Sequence, residues 1–373
     1  MSIALEDLPE EMQQMIESHK QTLEPLSPED GVEQYLESKT GEIRSQTVEE
    51  YSRKLDHFLD YCDRNDIQNL NNLSGRDLKD YAKYRRENTA PNGRELTNKT
   101  LRDDMYILRD MCRYLAEIEA VDRNLSKKVD IPSLNVGDGV RDIQMDPDRV
   151  NQILKHLDTY EYASRNHVIW CLKTETGRRP SDIYALDVED AYVDNDAPYI
   201  EVVHRENTQL KNGENGETTI AISDRVAQII KDYINHKRID GKTETGRKPL
   251  LTSHQGRLSK ISIRKAVYQY SCPCIVTNEC PHGRDIQDCD AAQKVNHAYE
   301  CPSSKPPYAL RHTYITEKRN QGVPIDVLTE RCDASEPVID KHYDERDDDE
   351  KRELRRQILE QARDERDNGG RYL

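Results

Sequence analysis

Aromatic residues other than tyrosine are almost missing from this 373-residue chain, which has one Phe and one Trp. It also has no stretch that predicts a membrane span. The opening M-S-I-A-L-E-D-L-P-E-E-M lacks the basic start and apolar stretch of a secretory signal or transit peptide. We therefore expect a cytoplasmic protein whose nine cysteines are reduced. The 34% charged residues and a mean hydropathy of −0.96 indicate thin cores under a strongly charged surface.

Basic residues are also fewer than acidic ones, 55 against 71, so the formal net charge is −16. This charge argues against a DNA partner, because affinity for DNA depends on Lys and Arg neutralising phosphates. Half of the excess, however, lies in residues 1–40, which hold ten acidic and two basic residues, whereas 41–128 are neutral. An acid-rich surface with few large apolar side chains is typical of proteins of halophilic microbes, which bind DNA against strong screening.

One stretch reverses the overall charge: residues 237–265 hold nine Lys or Arg and two acidic residues. Two readings stay open. The stretch is either a basic stripe that follows a phosphate backbone or an ordinary solvated surface.

The length predicts two domains. Residues 1–30 are expected to form an acidic tail, and apolar residues at helical spacing predict four helices within 31–130. The segment P-S-L-N-V-G-D-G-V, 132–140, is the candidate linker. Residues 141–373 are expected to form a second domain that ends in a charged helix.

The second domain also contains a strand signal. Two β-rich runs, 197–205 and 218–223, flank N-G-E-N-G-E and predict an antiparallel hairpin. The expected fold class is therefore mainly α with a small antiparallel β-hairpin or sheet.

Three residues suggest chemistry: Arg179 in T-G-R-R-P-S-D, Arg311 in Y-A-L-R-H-T, and Tyr343 in D-K-H-Y-D, 32 residues after Arg311. A phosphodiester under attack gains negative charge on its non-bridging oxygens, and guanidinium forks offer paired donors to those oxygens. A phenol, which titrates near pH ~10, becomes a nucleophile when nearby positive charge favours its phenolate. The set is suited to attack on a phosphodiester without a metal cofactor.

This order resembles the tyrosine recombinase (phage integrase, Xer-type) family, including integrase-like proteins of halophilic archaea. The resemblance implies a helical core-binding (SAM-like) DNA-binding domain over 31–130 and a mixed α+β catalytic domain over 141–373. It implies a site-specific recombinase in which Tyr343 forms a 3′-phosphotyrosine bond, with neither ATP nor a catalytic metal. The implied partners are double-stranded DNA and three further copies of the chain, as a tetramer on two DNA sites with the 350–366 helix docked on a neighbour.

The resemblance also assigns supporting residues. Lys211, at the hairpin turn, would protonate the departing 5′ oxygen, although lysines at exposed turns are also common for solubility. Asp182, one helical turn after Arg179, is expected to hold its guanidinium. The alternative for that pair is a buried structural ion pair.

Two positions depart from the family pattern. Tyr308 replaces the first histidine of H-x-x-R-H, which leaves His312 as a capping or packing residue. Asp333 falls where the family has His or Trp, and a carboxylate beside a phosphate is repelled. Either Asp333 points outward, or His342 beside Tyr343 supplies the missing donor. These departures motivate an alternative function, a catalytically impaired DNA-binding regulator or accessory protein.

Candidate DNA contacts follow from the same resemblance. They are Lys99, Arg102, Arg109 and Arg113 in the helical module, and Lys260 and Arg264 in the basic stretch.

A Cys-rich insertion, 272–301, separates Arg179 from Arg311, which are 132 residues apart, and resembles an insertion in the halophilic relatives. It lacks paired C-x2-C spacing, yet reduced thiolates favour zinc. We predict a structural zinc whose ligands are Cys274, Cys280, Cys289 and Cys301. The alternative for this insertion is free cysteines in a Pro-broken loop. A third hypothesis for the whole protein, beside the recombinase and the regulator, is a zinc-stabilised scaffold in which the Arg and Tyr matches arise by chance.

Overall fold

The computed structural model describes residues 23–87, 96–135, 144–240 and 246–343, with 352, 356 and 360, and for 341–343 the backbone alone. The chain divides into two compact units, 1–141 and 142–373. Most of the predicted acidic tail, half of the candidate linker and most of the charged C-terminal helix lie outside the described residues. None of the helices in the described part is both long and apolar enough to cross a bilayer.

The first unit is a helical bundle. Its helices are α1 (Pro28–Lys39), α2 (Ser45–Arg64), α3 (Gly75–Glu87) and α4 (Asn98–Glu117). Ser27 and Thr97 cap α1 and α4, because each side chain accepts a backbone N–H of the first turn. The four helices predicted from apolar spacing are confirmed.

The single phenylalanine lies at the centre of this bundle. Phe58 is fully buried, and its ring meets that of Tyr81 edge to face with centroids 5.5 Å apart. The buried face of α4 repeats at helical spacing and consists of Leu101, Met105, Leu108, Met111, Cys112 and Leu115. Tyrosine and methionine thus fill the volume that phenylalanine occupies in most cores.

The second unit is mainly helical with two small sheets. It begins with α5 (Pro147–Tyr160), α6 (Arg165–Thr176) and α7 (Pro180–Ala185). After the first sheet come α8 (Asp224–Asp232), which continues as a π-helical turn over Tyr233–Lys237, and, after the second, α9 (Lys260–Tyr270). The remaining helices are α10 (Pro273–Thr277), α11 (Asp290–Gln293), α12 (Pro307–Asn320), α13 (Ile325–Cys332) and α14 (Glu336–Tyr343).

The larger sheet has three antiparallel strands in the order β1 (Ala191–Tyr192), β2 (Tyr199–Val202) and β3 (Thr218–Ala221). Tyr199 pairs with Ala221, which confirms the predicted hairpin, while β1 is an addition to it. A second hairpin joins β4 (Thr252–Ser253) to β5 (Gly256–Arg257). The fold class is therefore as predicted.

The core of this unit surrounds its single tryptophan. Trp170 on α6 is fully buried, and its indole N–H donates to Ala266 O at 3.3 Å. Ile200 and Ile220, paired across β2 and β3, direct their side chains into the same core. Helix α6 packs against α5, α8, α9 and α12, and it shares its core with the sheet.

The Cys-rich insertion is closed at its base. Lys305 N–H donates to Ser271 Oγ at 2.8 Å, and that hydroxyl contacts Lys305 O at 3.3 Å. Arg149 on α5 donates to Ser271 O and, at 2.9 Å, to Ser303 O. The two ends of the insertion therefore lie side by side on the unit.

Candidate active site

The sequence T-G-R-R forms the turn between α6 and α7. Gly177 ends α6 with φ +63°, and a Cβ at this position would lie 2.4 Å from Tyr314 Cδ1. Only glycine fits, both because of this backbone conformation and because of the ring against it. The turn sends the two arginines in different directions: Arg178 is fully buried, whereas the side chain of Arg179 is 21% exposed.

Arg179 contacts the turn after α13. Its Nη1 pairs with the carboxylate of Asp333, and its Nη2 donates to Asp333 O at 2.6 Å. The guanidinium is thus held by a charge and by a backbone carbonyl, and part of it stays open to solvent.

Arg311 reaches the same turn from α12. Its Nη1 donates to Cys332 O and, at 3.1 Å, to Gly177 O, and the residue is only 3% exposed. One guanidinium therefore joins the last carbonyls of α6 and α13. The structure brings Arg179 and Arg311 together at residues 332–333, although they are distant along the chain.

Tyr343 is the last residue of α14, which begins three residues after Asp333 and packs against α12 and α13. The backbone of the candidate nucleophile therefore belongs to the same helical group as the two arginines. The side chains of His342 and Tyr343 lie outside the described residues.

Asp333 does not point outward, so that alternative was wrong. Its backbone is left-handed (φ 51°), its side chain is 10% exposed, and its Oδ1 accepts Asn212 Nδ2 at 2.7 Å while the other oxygen contacts Arg179. The carboxylate is tolerated here because a guanidinium neutralises it.

The expected pairing of Asp182 with the Arg179 guanidinium was also wrong. Asp182 Oδ2 lies 3.2 Å from Arg178 Nε, and its contact with Arg179 is with the backbone N–H, which it accepts at 3.2 Å, and not with the guanidinium. Burial lowers the pKa of Arg178, and the nearby Asp182 opposes that effect. Asp182 thus offsets the positive charge of the buried Arg178 and caps α7. The Arg179 guanidinium pairs with Asp333 instead.

The remaining predicted catalytic positions lie around this turn. Lys211 is exposed in the connection between β2 and β3, directly before Asn212. Tyr308 is 43% exposed in the first turn of α12, with its ring 6.5 Å from that of His312. His312 is buried in the same helix, so it is a packing residue and not a cap.

Sequence reasoning missed Lys173, which is fully buried on α6 and donates its ammonium Nζ to Arg178 O. Burial, followed by the charge of Arg311, lowers the pKa of Lys173 from 10.5 to about 7. The signal was present, since the lysine interrupts an apolar run three residues before the T-G turn.

Replacing Lys173 with Met should remove a pH dependence from stability. Between pH 7 and 10.5 the unfolded chain binds a proton at Lys173 that the folded protein lacks, so the wild-type free energy of unfolding should rise across this window. Below pH 7 the lysine is charged in both states. Urea unfolding of both proteins at several pH values measures the difference, and a difference independent of pH would contradict the assignment.

The predicted DNA contacts on α4 form a mixed surface. Arg102 and Arg109 flank the ring of Tyr106, with guanidinium carbons 5.4 and 4.7 Å from its centroid. Lys99 and Arg113 instead pair with aspartates on their own helix, Asp103 at 3.6 Å and Asp110 at 3.2 Å. The first pair presents a cationic and aromatic patch, whereas the charges of the second pair are partly offset.

Two arginines of the basic stretch 237–265 are engaged within the unit. Arg247 and Arg257 contact the buried carboxylate of Asp187 and so tie the β4–β5 hairpin to the segment after α7. Their charges are therefore partly offset, whereas Lys237 and Lys248 are exposed. Of the two predicted contacts, Lys260 lies 5.0 Å from the Tyr184 ring centroid and Arg264 is exposed on α9.

The cysteines of the insertion form a small buried cluster around Cys272, Cys274 and Cys301. Cys272 Sγ and Cys274 Sγ are 3.6 Å apart, while Cys280 and Cys289 are half-buried. Burial raises the pKa of the Cys272 thiol, as do contacts with Cys301 and Cys274. Within the described ranges no group of three or more His, Cys, Asp or Glu side chains is arranged to hold a metal. A structural zinc stays a prediction, checked by the metal content of the purified protein.

Comparison with known proteins gives a consistent result. Residues 144–349 match the phage integrase family, and residues 32–119 match the phage integrase N-terminal SAM-like domain. No curated protein sequence matches the chain.

Among the solved structures that the chain resembles, two with TM-scores above 0.5 share its fold. The Tn1549 transposon integrase in complex with circular intermediate DNA is 16% identical with a TM-score of 0.58, covering 89% of this chain and 100% of that one. A lambda integrase tetramer bound to a Holliday junction is 12% identical with a TM-score of 0.57, covering 91% and 84%. The N-terminal domain of a phage integrase/site-specific recombinase from Haloarcula marismortui is 28% identical over 29% of this chain and 99% of that one, with a TM-score of 0.27.

Proposed function

Because the chain belongs to the phage integrase family, we propose that it is a site-specific DNA recombinase that cleaves and rejoins strands through a 3′-phosphotyrosine intermediate at Tyr343. The observation that carries the proposal is the meeting of Arg179 and Arg311 at residues 332–333, on the turn that leads into the helix ending at Tyr343. Two buried or half-buried guanidiniums at one turn make a site that favours an anion.

The net charge of this turn supports phosphate as that anion. Arg178, Arg179 and Arg311 carry three positive charges, and Asp182 and Asp333 carry two negative ones. Lys173 adds a further positive charge below its pKa of about 7. Above that pKa the site carries one net positive charge, which a phosphodiester with one negative charge balances. The charge that it gains during attack is stabilised by donors already in place.

The proposed step exchanges one phosphate ester for another. The Tyr343 oxygen bonds to phosphorus as the bond from phosphorus to the 5′ oxygen breaks, so the phenol loses its proton to solvent water and the leaving oxygen gains one. Lys211 is the proposed donor of that second proton. The ester is retained in the phosphotyrosine, and attack by the 5′ hydroxyl of another strand reverses the step, so ATP is not required.

The proposed partners are double-stranded DNA and further copies of this chain. Arg102, Tyr106 and Arg109 on α4 offer cationic and stacking contacts to a DNA backbone. The related lambda integrase forms a tetramer on a Holliday junction, and we propose the same assembly here, with the 350–366 segment docked on a neighbouring subunit.

A trapping experiment tests the proposal. Duplexes are first selected from a randomised pool by binding and are then nicked near the bound site. Cleavage releases a short oligonucleotide with the 5′ hydroxyl, so the reaction cannot reverse and the covalent complex accumulates. We expect a protein–DNA adduct from the wild type and none from Tyr343→Phe, although both bind the duplex. Denaturing electrophoresis separates the adduct from free protein.

The contact between Asp333 and Arg179 favours a second candidate, a DNA-binding regulator of the same fold, because the carboxylate competes with phosphate for one guanidinium. Tight binding without any adduct would support this candidate. Failure to bind any selected duplex at the ionic strength of growth would contradict both.

A further inference from the structure

The connection between β2 and β3, residues 203–217, is attached to the arginine turn at two points. Asn212 Nδ2 donates to Asp333 Oδ1 at 2.7 Å, and Arg178 Nη2 donates to Gly216 O at 2.6 Å. A Cβ on Gly216 would lie 3.3 Å from Asp333 Oδ2, so the carboxylate rests against the backbone of the connection. These contacts fix a segment that is otherwise mostly exposed.

Asp333 is itself held in place by its neighbours. It follows α13, where Arg331 donates to Glu175 O at 3.0 Å and to Ala221 O at 2.9 Å, joining α13 to the end of α6 and the end of β3. Its own carboxylate is held from the opposite side by Arg179. A hydrogen bond from Asn212 therefore reaches a rigid acceptor.

From these contacts we infer that Asp333 and Asn212 form a clamp that positions Lys211 beside the phosphate bound at Arg179. The inference rests on the proposed function and deepens it. Asp333 is a positioning residue: one carboxylate oxygen contacts the phosphate-binding arginine, and the other holds the residue directly after the proton donor. The backbone that carries Lys211 is thereby tied to Arg179 through a single side chain.

The charge of Asp333 fits this role better than a direct contact with DNA. A carboxylate repels a phosphate, but one of its oxygens is neutralised by Arg179 and the other accepts an amide N–H. The Arg179 side chain remains 21% exposed for the DNA phosphate. Lys211 itself is exposed, so the position of its ammonium group depends on where the backbone at 211–212 is held.

The clamp acts on one part of the reaction only. Protonation of the 5′ oxygen is needed when that oxygen leaves as an alkoxide, whereas a sulfur at the same bridging position leaves as a thiolate without a proton. A substrate with 5′-bridging sulfur therefore reports whether a defect lies in proton delivery or elsewhere.

The test compares cleavage of the oxygen and sulfur forms of one selected duplex by Asn212→Ala, Lys211→Ala and Arg179→Ala. General acid catalysis contributes about 10²–10⁴-fold, so we expect Lys211→Ala to lose on that order with oxygen and Asn212→Ala to lose roughly tenfold. Both should regain the wild-type rate with sulfur. Arg179→Ala should remain slow on both, because its loss concerns charge on the non-bridging oxygens.

Asn215→Ala is the matched control, since it removes an exposed asparagine from the same connection. It should cleave both substrates at the wild-type rate. Asp333→Asn, which keeps a carbonyl acceptor for Asn212, should retain more activity with oxygen than Asp333→Ala does.

Three outcomes would overturn the clamp. The first is an Asn212→Ala protein that is equally slow on both substrates, the second is one that is as fast as wild type on both, and the third is a Lys211→Ala protein that sulfur does not rescue. If the wild type forms no adduct on either substrate, the proposed function itself fails, and that result is distinct from the other three.

Discussion

Arg311→Ala should lower the free energy of unfolding by about 3 kcal/mol and abolish strand cleavage. The guanidinium is 3% exposed and donates to Gly177 O and Cys332 O. Alanine would leave two buried carbonyls without this donor and a cavity between α6 and α13. Stability and catalysis are thus expected to fall together, because one side chain both joins the helix ends and supplies charge.

Urea unfolding followed by circular dichroism measures the first effect, and the trapping experiment measures the second. Arg311→Lys is the informative companion, since it keeps the positive charge but cannot reach both carbonyls with one planar fork. It should recover part of the stability and little of the activity. An Arg311→Ala protein as stable as wild type would contradict the buried contacts described above.

Arg179→Ala should slow cleavage by about 10²–10³-fold, as for loss of one donor to a developing oxyanion. It should lower the free energy of unfolding by less than Arg311→Ala does, because the Asp333 carboxylate loses its counter-charge but keeps its second hydrogen bond. The Arg179 side chain is partly exposed, and Asp333 would still accept the amide of Asn212. The difference between the two variants is the distinguishing result. Arg311→Ala should lose both stability and cleavage, whereas Arg179→Ala should lose mainly cleavage.

Single-turnover cleavage of the selected duplex gives the rate, and thermal unfolding gives the stability. Arg225→Ala is the matched control, because this arginine is 69% exposed and its pair with Asp158, at 2.9 Å, is a surface ion pair. It should change neither quantity appreciably. An Arg179→Ala protein that cleaves at the wild-type rate would remove this arginine from the proposed mechanism.

The sequence was sufficient for the helices and the hairpin, because apolar side chains at helical or alternating spacing report which face is buried. It was also sufficient to select Arg179 and Arg311, which the structure brings to one turn. The pairing of Asp182 could not be read from spacing. Arg178 and Arg179 are adjacent, and only the folded turn shows that Arg178 is the buried one that lies beside Asp182.

Contacts between segments that are distant along the chain also could not be predicted from the sequence. Nothing in the spacing of Asn212 and Asp333, 121 residues apart, indicates that an amide and a carboxylate meet. The buried Lys173 was visible in the sequence, but its low pKa depends on Arg311 from another helix. Side-chain electrostatics of this kind follow from the assembled fold and not from local pattern.

The hydrogen bonds between Ser271 and Lys305 have a consequence for comparing such chains. Because these bonds hold the two ends of the 272–301 insertion together, the length of the insertion does not affect the positions of Arg179 and Arg311. A related chain with a shorter or longer insertion can therefore keep both arginines at the turn of residues 332–333. Pattern searches that assume a fixed number of residues between the two arginines would overlook such a chain.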